Sequence, residues 1–246
     1  MNECEKFAVF TEGDRMKNVG IVLAAGSSTR MGGTTKKQYR VLLGHPVLFY
    51  SLMAFEQSFV SDVIVVCSEG EEEFVRTEIV EKYDFRKVCA VIAGAKERSG
   101  SSFLGIKEAI GAVGRFGVNV LIHDAARPLV SPLLINTIIT ELESGHRAVI
   151  PAVTPADTIR LEGDEAVITF EREKIRLVQT PQGFEAGLIC DAYEKLKGSV
   201  TDDAEAVMKY DGSVPIKFVE GDRRNFKLTY PTDFELAECM VKSASR

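Results

Sequence analysis

Short apolar runs alternate with amphipathic stretches along most of the chain. Aliphatic runs occupy residues 19–25, 62–67, 88–93, 118–123 and 148–153. These runs are short and lack strict alternation of apolar and polar residues, which is typical of strands buried on both faces of a sheet. Between them, apolar residues recur at spacings of three and four, which predicts helices beginning near residues 46, 71, 101 and 132. This alternation predicts an α/β fold of the Rossmann-like type, with a mostly parallel sheet and helices on both faces.

The pattern changes after residue 153. Three short runs, at 157–161, 166–171 and 175–179, predict antiparallel strands around a Gly163-Asp164 turn. We therefore expect a protruding β-arm at about 154–179. Helix patterns return at 184–196, 202–210 and from 231, with one strand at 216–220. We expect a single domain over residues 19–246, preceded by an N-terminal extension over residues 1–18.

Composition narrows the class of protein. The 246 residues are 45% hydrophobic and 27% charged, as in ordinary globular proteins. No apolar run approaches the roughly 18 to 20 residues that span a bilayer, so we expect no membrane crossing. Residues 1–18 lack the apolar segment of a secretory signal, and the five cysteines are widely spaced, which argues against a disulfide framework. These features predict a cytoplasmic protein.

The charge distribution indicates a small anionic ligand and not a nucleic acid. The net charge of -6 has the wrong sign for a protein that binds a phosphate backbone. Residues 15–55 nevertheless contain no acidic residue, although random placement would put about six there. The same window holds six basic residues: Arg15, Lys17, Arg30, Lys36, Lys37 and Arg40. A solvated basic face is the alternative, but a compact polyanion is favoured because these residues flank a glycine-rich loop.

Two segments that follow predicted strands carry candidate chemistry. The loop that begins at Gly26 follows the first strand, where an open parallel sheet binds ligands, and its glycines allow backbone N–H groups to approach phosphate. Its spacing matches neither the P-loop nor the dinucleotide motif. Asp124 follows the fourth strand and could hold magnesium or a sugar hydroxyl. It could equally pair with Arg127 or cap the next helix.

Taken together, these segments resemble the 2-C-methyl-D-erythritol 4-phosphate cytidylyltransferase family. The motifs that carry the resemblance are LAAGSSTRMGG from residue 23, KKQY from 36, GAKERSGS from 94, HDAARP from 123, QTPQGF from 179, TDDA from 201 and VEGDRRNFKLTYPTDFELAE from 219. Their order and spacing cover residues 19–241, so a chance similarity is not a reasonable explanation.

The resemblance implies a reaction and a nucleotide site. Members of the family join CTP to 2-C-methyl-D-erythritol 4-phosphate and release pyrophosphate, using magnesium and no covalent enzyme intermediate. By motif, Arg30 and Lys37 would stabilise the charge that grows on the α-phosphate and on the departing pyrophosphate. The residues that would contact the nucleotide are Ala24, Ala25, Gly26, Ala95, Arg98, Ser101, Asp124 and Ala125.

The resemblance also implies a homodimer with composite sites. In the family the β-arm serves dimerisation and carries Arg172 and Thr158 into the active site of the other subunit. Lys227 would join Arg172 on the polyol phosphate, and Asp124 would bind either magnesium or substrate hydroxyls. Arg127 and Thr180 are further candidate polyol contacts. Without the resemblance, Arg172 would read as an ion-paired surface residue and Lys227 as an ordinary strand lysine.

Three positions depart from the pattern of the family. Lys36 stands where proline usually precedes the loop lysine, which predicts a less rigid loop. Ala95 replaces the second of two paired glycines, and Lys96 replaces a residue that is often acidic. These two positions put the contacts to ribose or base in question.

Three alternative functions can be weighed from the sequence. Ribitol-5-phosphate cytidylyltransferases typically carry LAGG and HDSVRP, whereas this chain has LAAG and HDAARP, which favours methylerythritol phosphate. Sugar-1-phosphate nucleotidyltransferases lack the KQY and NFKLT segments. A noncatalytic nucleotide-binding module would have no need of the complete charged set, which is Arg30, Lys37, Asp124, Arg172 and Lys227.

Overall fold

A computed structural model describes residues 16–26, 36–162 and 167–244. The strands in chain order are β1 (Lys17–Leu23), β2 (Val41–Leu42), β3 (His45–Pro46), β4 (Asp62–Cys67), β5 (Val88–Ala93), β6 (Val118–Asp124), β7 (Ala148–Val153), β8 (Arg160–Glu162), β9 (Val167–Thr169), β10 (Leu177–Val178), β11 (Gln182–Glu185) and β12 (Lys217–Glu220). The helices are α1 (Val47–Glu56), α2 (Glu72–Val75, continued by a π-helical segment, Arg76–Glu81), α3 (Arg98–Val113), α4 (Pro132–Glu143), α5 (Ala186–Glu194), α6 (Asp203–Tyr210) and α7 (Pro231–Ala244). Two 3-10 helices span Lys37–Tyr39 and Arg172–Lys174.

The central sheet has eight strands in the order β5-β4-β1-β6-β11-β7-β10, and β12 also pairs with β7. The pairs β1–β4, β1–β6, β4–β5 and β7–β12 are parallel, whereas β11 lies antiparallel between β6 and β7. All five aliphatic runs therefore form strands of one sheet, and the predicted mostly parallel α/β fold is confirmed. Strand β1 begins at Lys17, two residues inside the expected N-terminal extension.

Helices cover both faces of this sheet, as the sequence predicts. Along β1, Ile21 and Leu23 join the core cluster that includes residues of α3, α5 and α6. Val22, between them, joins the opposite cluster, which includes residues of α1 and α4. Because successive side chains of a strand point to opposite faces, a continuous apolar run is what two buried faces require. Helix α7 packs separately, with Ala237 beside Leu42.

The region around β11 differs from the sequence-based expectation. A helix was expected from residue 184, but Phe184 and Glu185 belong to β11 and α5 begins at Ala186. The strand approaches α4 so closely that a Cβ on Gly183 would overlap the side chain of Ile138. Four residues are too few to show a periodicity, so the sequence pattern does not reveal this strand. Its conformation is decided by tertiary packing.

Part of the segment at 154–179 forms a separate two-stranded antiparallel sheet, β8 with β9, outside the central sheet. Strands β8 and β9 pair only with each other among the described strands, and every residue of both is exposed. Strand β10, at the end of the predicted arm, instead joins β7 in the central sheet. Among the cysteines, Cys67 and Cys190 are buried, whereas Cys89 and Cys239 are exposed.

Within residues 16–26, 36–162 and 167–244, every helix is too short or too polar to cross a bilayer.

Close packing of α3 against the sheet gives a stability prediction. A Cβ on Gly105 would lie 2.5 Å from Cγ2 of Ile21 and 3.2 Å from Cγ2 of Val66, whereas a Cβ on Gly111 of the same helix would meet nothing within 4 Å. We expect Gly105→Ala to lower the free energy of unfolding by about 1–3 kcal/mol through overpacking. Gly111→Ala should raise it by up to about 1 kcal/mol, because alanine favours helix. Urea unfolding of both variants measures this, and equal effects would contradict the packing described.

Candidate active site

A cavity of about 320 Å³ opens where the carboxyl ends of β1 and β6 lie side by side. From β1 the chain builds β4 and β5 on one side and then β6 on the other, so this is a topological switch point, where open α/β sheets bind ligands. The cavity is lined by Leu23, Ala24, Ala25, Gly26, Lys37, Gln38, Ala95, Lys96, Glu97, Arg98, Ser101, Asp124, Ala125, Ala126, Lys227 and Thr229.

Most of the sequence-predicted residues come together here. All eight residues predicted to contact the nucleotide line the cavity: Ala24, Ala25, Gly26, Ala95, Arg98, Ser101, Asp124 and Ala125. Lys37 and Lys227 line it as well. Arg30 lies outside the described residues.

Sheet register explains why these backbone segments meet. Leu23 of β1 pairs with Asp124 of β6, and the N–H of Ala125 then donates to the carbonyl of Leu23 at 3.0 Å. Gln38, which the sequence reading named only within the KKQY motif, donates from Nε2 to the carbonyls of Ala24 at 2.6 Å and Gly26 at 3.2 Å. The floor of the cavity is therefore built from small residues whose backbone is held on both sides.

Asp124 is the electrostatic centre of the cavity. Its Oδ1 accepts from Nε of Arg98 at 2.9 Å, and its Oδ2 accepts from Nζ of Lys227 at 2.7 Å. Burial alone would raise the pKa of Asp124, but the two cations outweigh burial and hold the pKa well below its usual range. The carboxylate thus stays ionised and fixes two positive charges beside the cavity.

The ends of the glycine-rich loop are held by polar contacts. Nζ of Lys36 lies 2.6 Å from Oε1 of Glu71 and donates to Oγ of Ser68 at 2.7 Å, and Ser68 in turn donates to the carbonyl of Ala25 at 3.2 Å. Tyr39 donates to the other oxygen of Glu71 at 2.8 Å. Lys36 has a φ of -59°, which proline would also adopt. Here side-chain contacts supply a restraint where the sequence comparison predicted a less rigid loop.

Lys37 is placed by the 3-10 helix that follows this loop. Its Nζ donates to the carbonyl of Leu228 at 3.1 Å while the side chain lines the cavity. Leu228 is fully buried, and its N–H donates to the carbonyl of Ala126 at 2.8 Å. The closing segment of the chain thus positions both Lys37 and Lys227.

Ser101 shapes the loop that precedes α3. Its Oγ accepts from the N–H of Ala95 at 3.0 Å and lies 3.2 Å from the carbonyl of Glu97. Ser101 is buried, whereas Ala95 and Lys96 are exposed at the mouth of the cavity. Ala95 and Lys96, which depart from the pattern of the family, therefore change the rim of the site and not its floor.

Two predicted polyol contacts lie behind Asp124. Thr180 is buried, and its hydroxyl accepts from the N–H of Asp124 at 3.1 Å and lies 3.1 Å from Nδ1 of His123. Arg127 donates from Nη1 to the carbonyl of Asn225 at 2.8 Å. Neither residue is among those that line the cavity in the described part of the chain.

The arm residues lie apart from the cavity of their own chain. Thr158 and Arg172 are exposed and do not line it. Arg172 donates to the carbonyl of Ala156 at 3.1 Å and to Oε1 of Glu173 at 3.2 Å. These two predicted residues thus lie at the surface, away from the cavity of the same chain.

In the described part of the chain, the candidate metal ligands are isolated carboxylates. Across the ranges 16–26, 36–162 and 167–244, no three Asp, Glu, His or Cys side chains come together as a metal site. Asp124 and Glu97 are the carboxylates among the cavity residues given above. One carboxylate with a nucleotide's phosphates suits Mg²⁺, which is commonly held in that way. The residues therefore fit a metal that arrives with a triphosphate and do not fit a cage made of protein ligands.

His123 is the buried titratable group that supports Asp124. Its Nε2 lies 3.2 Å from the carbonyl of Arg127, which can only accept, so Nε2 carries the proton and Nδ1 accepts from the Thr180 hydroxyl. Burial lowers the pKa of His123 to about 4. The imidazole is therefore neutral at physiological pH.

This burial predicts how stability depends on pH. In the unfolded chain, His123 is protonated below the ordinary histidine pKa of about 6.5. In the folded chain it is protonated only below about pH 4. The free energy of unfolding should therefore fall by about 3 kcal/mol between pH 7 and pH 4 because of His123. Urea unfolding across this range measures the loss, and His123→Gln should flatten the slope. An unchanged slope in His123→Gln would refute the assignment.

Comparison with known proteins places the chain in a family. The family model described as 2-C-methyl-D-erythritol 4-phosphate cytidylyltransferase (IspD) matches residues 19–243. Curated proteins of that name are 37% identical in Lachnoclostridium phytofermentans, over 92% of this chain and 97% of the relative, and 39% identical in Geotalea uraniireducens, over 94% and 99%. A crystal structure of 4-diphosphocytidyl-2C-methyl-D-erythritol synthase from Anaerococcus prevotii superposes with a TM-score of 0.80 at 29% identity, covering 93% of this chain and 97% of that one. The chain is a member of the 2-C-methyl-D-erythritol 4-phosphate cytidylyltransferase family.

Proposed function

We propose that the protein transfers the cytidylyl group of CTP to 2-C-methyl-D-erythritol 4-phosphate and releases pyrophosphate. The observation that carries the proposal is the cavity at the switch point of a chain of this family. Lys37 lines this cavity, and so do Arg98 and Lys227, which both pair with Asp124. The lining carries four cations (Lys37, Lys96, Arg98 and Lys227) and two carboxylates (Glu97 and Asp124), so this cavity, which has the size of a small ligand, is net positive. Such a site suits a triphosphate and a phosphorylated acceptor.

The small residues of the floor would receive the nucleoside. Ala24, Ala25 and Gly26 leave the backbone accessible at the end of β1, and Ala125 does the same at the end of β6. Base and ribose can therefore be recognised by backbone groups, with Ala95 and Ser101 closing the other side. Arg98, held on Asp124, adds a fixed charge beside this compartment.

The chemistry asks for charge stabilisation and alignment. An oxygen of the acceptor's phosphate attacks the α-phosphorus of CTP, the bond to the bridging oxygen of the β-phosphate breaks, and that oxygen leaves with the pyrophosphate. A phosphate oxygen is already nucleophilic, so little proton transfer is needed. Lys37, together with Arg30 from the glycine-rich loop, would stabilise the negative charge that develops on the transferred phosphate and the leaving group.

Magnesium is proposed as the cofactor of this reaction. When bound, it would neutralise phosphate charge and polarise the bond that breaks. Asp124 is the candidate protein ligand of the metal, and it also pairs with Arg98 and Lys227. If Asp124 does not bind the metal, its alternative role is to bind hydroxyl groups of the substrate.

The second substrate and the dimer are proposed together. Lys227 lines the cavity and would hold the acceptor's phosphate, while Arg172 and Thr158 would come from the arm of a second copy. Strands β8 and β9 expose Leu161, Val167 and Ile168 by 53%, 60% and 53%, which is apolar surface that a second copy could cover. Arg127 and Thr180, behind Asp124, would support polyol binding through the position of Asp124.

Pyrophosphate release tests the proposed reaction directly. With Mg²⁺ and CTP, we expect release that requires 2-C-methyl-D-erythritol 4-phosphate and is much weaker with ribitol 5-phosphate. A preference for ribitol 5-phosphate would assign the chain to the sister activity. Nucleotide binding without release would instead indicate a noncatalytic module.

Lys37→Ala tests the charge-stabilising role. We expect turnover to fall by about two to three orders of magnitude, as when one charge-stabilising donor is lost. Lys82→Ala is the control, since Lys82 pairs with Glu78 on the surface of the protein. Steady-state pyrophosphate release measures both variants, and activity of Lys37→Ala within threefold of the parent would reject the role.

Mixed dimers test the exchange of arms. Lys37→Ala and Arg172→Ala subunits are each expected to be nearly inactive alone. If sites are composite, a mixed dimer contains one site that is intact in both residues, and mixing should restore up to about half of the parental activity per mixed dimer. Absence of recovery in heterodimers verified by mass would show that each site is built within one chain.

A further inference from the structure

A fully buried carboxylate lies behind the cavity, in contact with one of its cations. Asp203 has no exposed surface and is not among the described residues that line the cavity. Its Oδ2 accepts from Nη2 of Arg98 at 2.8 Å, and its Oδ1 accepts from the hydroxyl of Tyr193 at 2.6 Å. The reaction proposed above makes no use of either Asp203 or Tyr193.

The local structure holds this carboxylate in place. Asp203 is in the first turn of α6, where the helix dipole favours a negative charge, and Asp202 caps that helix by accepting from the N–H of Glu205. Tyr193, near the end of α5, stacks on Phe103 with 5.8 Å between ring centroids. Burial, together with Asp203, raises the pKa of Tyr193, so the phenol remains a hydrogen-bond donor.

Arg98 is thereby divided between two carboxylates. Nε faces Asp124 and Nη2 faces Asp203. An arginine beside a single carboxylate commonly binds both of its oxygens through two parallel N–H groups. Here Arg98 takes only Oδ1 of Asp124, and Oδ2 remains for Lys227. The position of Lys227 therefore depends on the carboxylate of Asp203, although Lys227 does not contact it.

Charge balance leads to the same dependence. Asp124 and Asp203 compensate Arg98 and Lys227, and the charge of Arg127 also acts on Asp124, so this region has no negative charge to spare. Without the charge of Asp203, Arg98 would have one carboxylate left and would compete with Lys227 for it. Uncompensated charge is costly in such surroundings, so the guanidinium would be expected to turn toward Asp124.

We infer that Asp203, oriented by Tyr193, is a positioning residue that fixes the guanidinium of Arg98 and so keeps Asp124 shared with Lys227. The inference rests on the proposed function for its effect on turnover. Its structural content, the fixed guanidinium, does not require any activity.

The first test is kinetic. We expect Asp203→Asn to lower kcat/KM for CTP by about 10- to 100-fold, and Tyr193→Phe, which keeps the stacked ring, by about three- to tenfold. If Asp203 acts through Arg98, the double variant Arg98→Ala/Asp203→Asn should equal Arg98→Ala within about twofold. Asp191→Asn is the matched control, because Asp191 pairs with Arg115 and neither residue lines the cavity. This control should retain the parental value.

The second test observes the guanidinium itself. In ¹⁵N NMR of the full chain, the reporter is the Nη2–H signal that disappears in Arg98→Ala, because Nη2 donates to Asp203. This signal should exchange slowly with water in the parent and in Asp191→Asn, and at least tenfold faster in Asp203→Asn and Tyr193→Phe. If Asp203→Asn does not fold, Tyr193→Phe carries the same comparison.

The outcomes separate the inference from the proposed function. Slow exchange at Nη2 of Arg98 in the parent and its loss in the two variants support the positioning role, even if no pyrophosphate is released. An unchanged signal, values of kcat/KM within twofold of the parent for both single variants, or losses that multiply in the double variant would overturn it.

Discussion

The ionised carboxylate of Asp124 is the interaction on which the rest of the site depends. It lies at the end of β6, where the register with β1 places it beside the small residues of the cavity floor. Arg98 begins α3 and Lys227 precedes α7, so one carboxylate joins three separate parts of the chain. Because opposite charges at such distances favour ionisation strongly, the group can hold both cations throughout the physiological pH range.

Buried side chains behind the cavity hold Asp124 and Arg98 in position. On one side His123 and Thr180 hold the backbone of Asp124, and on the other Asp203 holds Arg98. Their buried polar atoms have partners, which a low-dielectric interior requires. The outer loop ends are held differently, by the contacts of Lys36 and Gln38 with segments that follow β1 and β4. Rigid support of this kind allows a site to act through fixed charges.

Much of this arrangement could be predicted from the sequence, for identifiable reasons. Strands such as β4, β5 and β7 have the predicted bounds because a run of aliphatic residues between turns leaves few alternatives. Lys37, Asp124 and Lys227 were found through motifs. Strand β11 was missed because four residues show no period and packing on Gly183 decides its conformation. Asp203 lies within the TDDA motif, but the sequence assigns it no role, since only tertiary structure brings it to Arg98.

A crystal structure with CTP and Mg²⁺ would examine the central idea, that fixed cations around one carboxylate create a nucleotide site at the switch point. The account predicts cytidine against Ala24, Ala25 and Gly26, with phosphate oxygens within hydrogen-bond distance of Lys37 and with Arg98 still on Asp124. A triphosphate bound elsewhere, or bound here with Asp124 separated from both of its cations and from every substrate group, would contradict it.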